Sequence, residues 1–364
     1  MEKLNYVDIS VYSRNSKSIA DEKLLTTNSL GYLDFLSNDV QFTVIRFGNS
    51  FQQEGNYKLY RYNFRDLIKC YYYFKQNKNS ATLFHSFSFP IRFLILKYLL
   101  RNKVKWIIQH HAGEPSKNYI KSFIQKVAYS KADAYLFVSK KQAVNYIKKG
   151  LIKSNEQVYE VMECSNSFVL KDKLTCRKEL GLEANRKVFI WVGGLDKNKD
   201  PMTMLKAIQL HKEKGYDFLV FMFFNKENLL EEVRHFIAEN DLEETVFLKG
   251  KIDNYKLENW YNAADFFISC SFTEGSGVSM SEAIACGCIP VVSNIPSFEF
   301  MTDNGKIGLH FNKGSHTDLA QKLILLDNLD IESERIRVHR VFKDKSSYEA
   351  IGLSISSLIK RLNS

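Results

Sequence analysis

Two glutamates eight positions apart, Glu274 and Glu282, flank a glycine-bearing turn in the stretch EGSGVSMSEAIACGCIPVV, residues 274–292. The preceding run DFFISCSF reads as a strand. The chain then turns through Gly275, Ser276 and Gly277, and Val278, Met280, Ala283 and Ile284 begin a helical pattern. Glycine lets a backbone come close to a ligand. The first N–H groups of a helix, here near Gly277, Val278 and Ser279, lack intrahelical partners and lie at the positive end of its dipole. The spacing describes a phosphate seat with a carboxylate on each side. Carboxylates do not bind phosphate, but they accept hydrogen bonds from sugar hydroxyls, as an acidic residue does for ribose in dinucleotide sites. A pyrophosphate carrying a sugar at each end satisfies all three parts. Ser279-x-x-Glu282 is equally the spacing of a capping box, in which Glu282 is structural.

A second glycine-bearing strand end occurs earlier, in WVGGLDKNKD. There Gly193 and Gly194 close a strand, and Lys197 and Lys199 precede a helix starting near Pro201. These lysines suit an anion or simply a solvated turn. His110 and His111 end the strand-like run of IIQHH, and His85 lies in LFHSF. A lone histidine is usually structural, whereas a pair at a strand terminus is placed for chemistry. The six cysteines are scattered apart from one C-x-C, Cys286 and Cys288, and have neither disulfide nor zinc-ribbon spacing; they read as reduced, small core residues, with no metal site.

The elements that must position these residues alternate along the chain. Apolar strand-like runs and helical patterns succeed one another from YVDISVYS to KQAVNYIKKG, then again from VFIWVGG to IPVVS. Serial β-α units of this kind form parallel sheets covered on both faces. A length of 364 residues exceeds what one core usually supports, so two domains are expected. The polar stretch CSNSFVLKDKLTCRKELGLEANRK suggests a link near residues 165–185. The expected fold class is α/β, with two doubly wound Rossmann-like domains facing each other across a cleft: residues 1–170, residues 171–345, and a closing C-terminal helix over 346–364. In open α/β sheets ligands sit beyond the carboxyl ends of the strands, so that cleft is the expected site.

The formal charge is +10. Residues 91–153 hold fourteen Lys or Arg against two acids, Glu114 and Asp133, so the basic surface belongs to the first half. Such a surface favours nucleic acid, phospholipid headgroups or a phosphate-bearing substrate. In SKNYIKSFIQKVAYSK, Lys117, Lys121 and Lys126 accompany Tyr119, Ile120, Phe123, Ile124 and Val127 at near-helical spacing. That pattern fits an interfacial helix on anionic lipid, and equally a solvated face over a packed one. No apolar run reaches the roughly 18 residues of a spanning helix, and MEKLNYVDISVYS has no signal-peptide pattern. The expected location is cytoplasmic, with peripheral contact to the inner face of the plasma membrane through residues 91–153.

WVGGLDKNKDPMTMLKAI, followed by SFTEGSGVSMSEAIACGCIPVVSNIPSFEF and GKIGLHF, resembles the donor-binding domain of family 4 glycosyltransferases, retaining enzymes of the GT-B fold. The resemblance covers residues 185–312, extends more weakly back through DAYLFVS and IIQHHAGEP, and is poor before residue 80. It implies that Glu274 contacts the transferred sugar and Glu282 the nucleotide ribose. Gly277 and Val278 would offer backbone N–H groups to the diphosphate, with Ser279 beside them, and Lys199 a cation. Gly250, Lys251 and Ile252 would hold the base by main-chain contacts. His111, with His110 and His85 as further candidates, would face the donor sugar. The implied activity is hexosyl transfer from a UDP- or GDP-type sugar to a glycan or lipid-linked acceptor, with no metal and no other cofactor. Two features depart from the family. Gly194 stands where an arginine is usual, so that either Lys197 substitutes or activity is lowered, and YSRNSKSIADEKLL replaces the usual N-terminal glycine-rich loop. Residue usage suggests an AT-rich bacterial genome and hence surface polysaccharide or lipopolysaccharide synthesis. The alternatives are a nucleotide-sugar epimerase of the same architecture and a nucleic-acid-binding protein. Against the latter stand the absence of its motifs and the acidic pair at the phosphate seat.

Overall fold

The computed structural model describes residues 3–10, 18–61, 63–77, 80–100 and 104–364. The chain divides into two compact units, Met1–Ser165 with Tyr348–Ser364, and Asn166–Ser347. The first contains strands β1 (Leu4–Ser10), β2 (Val40–Gly48), β3 (Gln52–Glu54), β4 (Tyr57–Arg61), β5 (Ser80–His85), β6 (Val104–Gln109), β7 (Ala134–Phe137) and β8 (Val158–Glu160). They form one sheet in the order β3-β4-β2-β1-β5-β6-β7-β8, parallel except for the antiparallel β3–β4 pair. β7 is buried along its whole length and β5 at every position but its last, His85, as expected for parallel strands with helices on both faces. The chain builds outward from β1 on one side and returns at β5 to build the other. The order of the sheet therefore reverses between β1 and β5. Residues 11–17, which include most of the start of the stretch noted for lacking a glycine-rich loop, lie outside the described residues.

The second unit contains β9 (Lys187–Gly193), β10 (Phe218–Phe224), β11 (Val246–Gly250), β12 (Phe266–Ser269), β13 (Ile289–Ser293) and β14 (Leu309–Phe311). Their order is β11-β10-β9-β12-β13-β14, with parallel pairing throughout. All seven positions of β10, FLVFMFF, are buried. The reversal here falls between β9 and β12, so the loops leaving those two strands flank the crevice where an open sheet receives ligands. Both units are thus Rossmann-like α/β folds.

The polar stretch expected as a link is instead largely part of the second unit. Residues Lys173–Leu180 form a helix. Its Arg177 is buried, donates to Asp265 at 2.6 Å and to the Ala263 carbonyl at 2.9 Å. Asp265 in turn accepts from the Val188 backbone at 3.0 Å. A charged sequence is thereby anchored to two strands of the sheet, because its charges are paired.

The final helix, Tyr348–Asn363, belongs to the first unit. It lies so close to residues 31–37 that a Cβ on Gly352 would stand 2.7 Å from the Phe35 carbonyl oxygen, and one on Gly31 would stand 2.6 Å from the Tyr348 ring. Ser356 Oγ accepts from the Ser37 backbone at 2.9 Å. All six cysteines are free and buried.

Candidate functional site

In the second unit the helix after β12 runs over Val278–Ala285, with Gly277 as its N-cap at φ 60°, ψ 62°. That left-handed conformation favours glycine, and a Cβ there would also meet the Phe298 ring at 3.0 Å. No side chain caps this helix. The capping box is therefore not formed: Ser279 lies inside the helix, one residue past its start, and Glu282 is left for another purpose. Because the first-turn N–H groups of Val278 and Ser279 have no intrahelical acceptor, they present the positive end of the helix beyond β12.

Glu282 is only 4% exposed. Tyr261 Oη donates to its Oε2 at 3.3 Å. Burial pushes its carboxyl up to about 7, and hydrogen bonds from Asn254 and Tyr261 only partly oppose this.

Glu274, in the turn before the helix, forms an ion pair with Lys199. Ser271 Oγ also donates to Glu274 Oε1, at 2.6 Å. Lys199 comes from the loop after β9, and the two loops are tied by Asn198. The Asn198 carbonyl accepts from the Phe272 backbone at 2.8 Å, and its Nδ2 donates to the Thr273 carbonyl at 3.0 Å. Its Oδ1 accepts from Thr273 N at 3.2 Å and from Thr273 Oγ1 at 2.8 Å. One asparagine thus fixes the loops on both sides of the strand-order reversal, and a cation and an anion meet there.

Gly193 and Gly194 sit at the end of β9. A Cβ on Gly193 would contact the Lys199 stem at 3.5 Å. One on Gly194 would lie 3.1 Å from both the Lys226 stem and Asp196 Oδ2. Lys226, 3.9 Å from Asp196 through its Nζ, therefore occupies the space beside Gly194 where a larger side chain would begin. Lys197 is exposed in the same loop. Lys251 is exposed and Ile252 half-buried in the loop that follows β11, where Gly250 has φ +67°.

In the first unit, the three histidines separate into two roles. His110 is buried, its Nε2 donates to the Gly113 carbonyl at 3.2 Å, and its ring stacks on Phe137 with centroids 4.6 Å apart. Burial lowers its pKa below the ordinary histidine value. It is a neutral core residue. His111 and His85 instead form a chain: Glu163 contacts His111 Nδ1, His111 Nε2 lies 3.1 Å from His85 Nδ1, and His85 Nε2 lies 2.9 Å from Asp8 Oδ1. Asp8 is fully buried on β1, paired with Arg46 at 2.7 Å and accepting from Tyr32 Oη at 3.1 Å. Burial raises the Asp8 carboxyl, but His85 and Arg46 outweigh it and hold the group well below the usual carboxylate range. For His85, burial lowers the pKa despite Asp8.

Hydrogen counting follows from these partners. A neutral His85 that donates to Asp8 from Nε2 must accept at Nδ1, so His111 Nε2 is a donor. The His111–Glu163 contact then needs a hydrogen of its own, on the ring or on the carboxyl. The chain lies at the carboxyl ends of β5 and β6, next to the reversal between β1 and β5. Sequence spacing singled out His111 and His85 but missed Asp8, Arg46, Glu163 and Asn198. The one available signal was an aspartate in the middle of the apolar strand LNYVDIS.

Residues 172–338, which lie within the second unit, match the family model described as "Glycosyl transferases group 1". The GDP-mannose:cellobiosyl-diphosphopolyprenol alpha-mannosyltransferase of Xanthomonas campestris is 26% identical over 159 residues, 43% of this chain and 42% of its own. The D-inositol 3-phosphate glycosyltransferase of Corynebacterium jeikeium (strain K411) is 29% identical over 164 residues, 43% of this chain and 39% of its own. The chain spans less than half the length of these curated relatives. Among solved structures, a glycosyltransferase from Rickettsia africae ESF-5 aligns with TM-score 0.72 at 15% identity, covering 100% of this chain and 99% of that one. Anabaena Alr3699/HepE in complex with UDP and glucose aligns with TM-score 0.69 at 13% identity, covering 98% and 100%. The fold is that of GT-B glycosyltransferases.

Proposed function

We propose that the chain is a retaining, family 4-type hexosyltransferase that moves a sugar from a UDP- or GDP-type donor to a glycan or lipid-linked acceptor. The observation that carries this is the Lys199–Glu274 pair, held by Asn198 at the uncapped start of the Val278–Ala285 helix. The family match over residues 172–338 and the two relatives named for glycosyl transfer support the same reading.

Without donor, Lys199 and Glu274 neutralise one another. A diphosphate at the helix start competes for the Lys199 ammonium, which releases Glu274 to accept from a hydroxyl of the transferred sugar. The N–H groups of Gly277, Val278 and Ser279 meet the remaining phosphate charge. Glu282, deeper in the helix, accepts from the ribose, and the main chain at Lys251 and Ile252 holds the base. As the sugar–phosphate bond breaks, negative charge grows on the leaving diphosphate, on the face that the acceptor approaches. Lys199 offsets that charge. Lys226, whose stem fills the space beside Gly194, is the candidate for the second cation, with Lys197 nearby. His111, held by Glu163 and His85 within the first unit, is the histidine of this reading that is set up for chemistry on a sugar. The setting in this reading is bacterial surface polysaccharide or lipopolysaccharide synthesis, on the cytoplasmic side of the plasma membrane.

The test incubates the protein with radiolabelled UDP- and GDP-sugars, with and without lipid-linked saccharide acceptors. Label should move to the acceptor fraction with one base and retain its anomeric configuration. Donor consumption without acceptor, giving an isomerised nucleotide sugar, would instead assign an epimerase.

A further inference from the structure

Three helices of the first unit are out of balance with their surroundings. The Phe64–Gln76 helix exposes Phe64, Ile68 and Tyr72. The Pro90–Leu99 helix exposes Ile91, Ile95 and Tyr98. The Tyr119–Tyr129 helix exposes Tyr119, Ile120, Phe123 and Val127, with Ile124 half-buried behind them. Several project almost completely: Phe64 is 79% exposed, Tyr98 80% and Tyr119 93%. The helices adjoin. The first two line an apolar groove of about 460 Å³, and Lys97 of the second donates to the Ala128 carbonyl of the third at 3.2 Å. Contiguous apolar exposure on this scale marks an interaction surface.

Charge identifies the partner. The only acid in the three helix sequences is Asp66, and it is buried between Arg61 and Lys69. Exposed cations alternate with the apolar side chains instead: Arg65, Lys69 and Lys75 on the first helix, Lys121 and Lys126 on the third, and Lys117 just before it. A protein partner large enough to cover these faces would need an acidic, aromatic-accepting surface of matching shape. A bilayer with anionic headgroups above hydrocarbon offers both complements at once and needs no shape.

We propose that this face seats the protein on an anionic lipid bilayer, with Phe64, Tyr98, Tyr119 and Phe123 inserted among the acyl chains and the lysines and arginines at headgroup level. The groove between the first two helices takes one acyl or prenyl chain. Among the described residues no helix is long and apolar enough to cross a membrane, so the contact is peripheral. The inference deepens the transfer reading by giving a lipid-linked acceptor a place to be presented. Its physical basis is the three helix faces alone.

The test is co-sedimentation with phosphatidylcholine vesicles, with and without phosphatidylglycerol, in the absence of donor and acceptor. The intact chain should pellet with the anionic vesicles, weaken in high salt, and ignore pure phosphatidylcholine. The triple substitution Phe64→Ser, Tyr98→Ser, Phe123→Ser should lower partitioning by about a thousandfold, since each buried aromatic is worth roughly tenfold. Arg65→Glu with Lys121→Glu should abolish the preference for anionic lipid. All five positions are exposed, so circular dichroism should be unchanged. Failure to pellet, or equal pelleting on both vesicle types, overturns the proposal. So does a chain that is dimeric by light scattering and made monomeric by the triple substitution, which would assign the face to a second copy. A protein that transfers sugar but ignores vesicles sinks this inference alone; one that binds vesicles but transfers nothing sinks the transfer reading alone.

Discussion

Glu282 is the residue whose chemistry is most exposed to test, because its carboxyl titrates near neutrality. The folded-state value of about 7 lies above the ordinary 4.5, raised by burial. The folded chain therefore binds this proton more tightly than the unfolded chain. Stability from Glu282 is fully present below about pH 4.5 and is lost as pH rises to about 7, beyond which the penalty is constant. Glu282→Gln should be close to neutral for stability at pH 5 and stabilising at pH 8, by up to about 3 kcal/mol, measured by urea melts at the two pH values. Nucleotide binding should move the other way: a ribose hydroxyl needs the ionised carboxylate, so affinity in the native chain should improve between pH 6 and 8. Lys199 makes a second case. Lys199→Ala removes the fixed cation that meets leaving-group charge, and turnover should fall by about a hundred- to a thousandfold, with the fold intact by circular dichroism. Asp8 makes a third. Its carboxylate lies well below its ordinary range through His85 and Arg46, against burial. This stability is present above pH 4 and lost as pH falls further. Asp8→Asn leaves Arg46 buried beside an uncharged partner and should cost about 3–5 kcal/mol at pH 7, read by chemical denaturation.

At the scale of elements, the sites follow from where each sheet reverses its strand order. β9 and β12 leave their carboxyl ends side by side in the second unit, and β1 and β5 do so in the first. Much of this was legible in the sequence. Alternating apolar runs and helical patterns gave the two α/β series, and the paired glycines marked where the backbone had to turn at the ends of β9 and β12. What was not legible depended on partners distant along the chain. Ser279 and Glu282 have capping-box spacing, but the positive φ of Gly277 starts the helix at Val278 and leaves Ser279 inside it. Asp8 joins a polar cluster only because the sheet brings it to His85, 77 residues away. The stretch around Arg177 looked like a linker because its charge is satisfied by Asp265, 88 residues on. Local pattern thus locates elements and turns, while paired buried charges require the assembled sheet.

At the scale of the whole molecule, the chain's end returns to the unit its beginning formed. Removing residues 348–364 strips from the first unit the helix that packs on residues 31–37. The second unit, Asn166–Ser347, keeps every strand of its own sheet. Differential scanning calorimetry of the truncated chain should therefore show the transition of the first unit lowered by ten degrees or more, roughly what a few kcal/mol yields in a domain of this size, with that of the second unchanged. The central claim is narrower: a nucleotide diphosphate rests on the start of the Val278–Ala285 helix, with its charge taken by Lys199. Isothermal titration of the purified chain with UDP, GDP and their sugar conjugates tests it most directly. Saturable one-to-one binding of one base series, weakened at least tenfold by Lys199→Ala and unaffected by Lys206→Ala, an exposed position on the Pro201–Glu213 helix that follows the Lys199 loop, is the predicted result. No heat with either series, or equal affinity in the intact and Lys199→Ala chains, would contradict it.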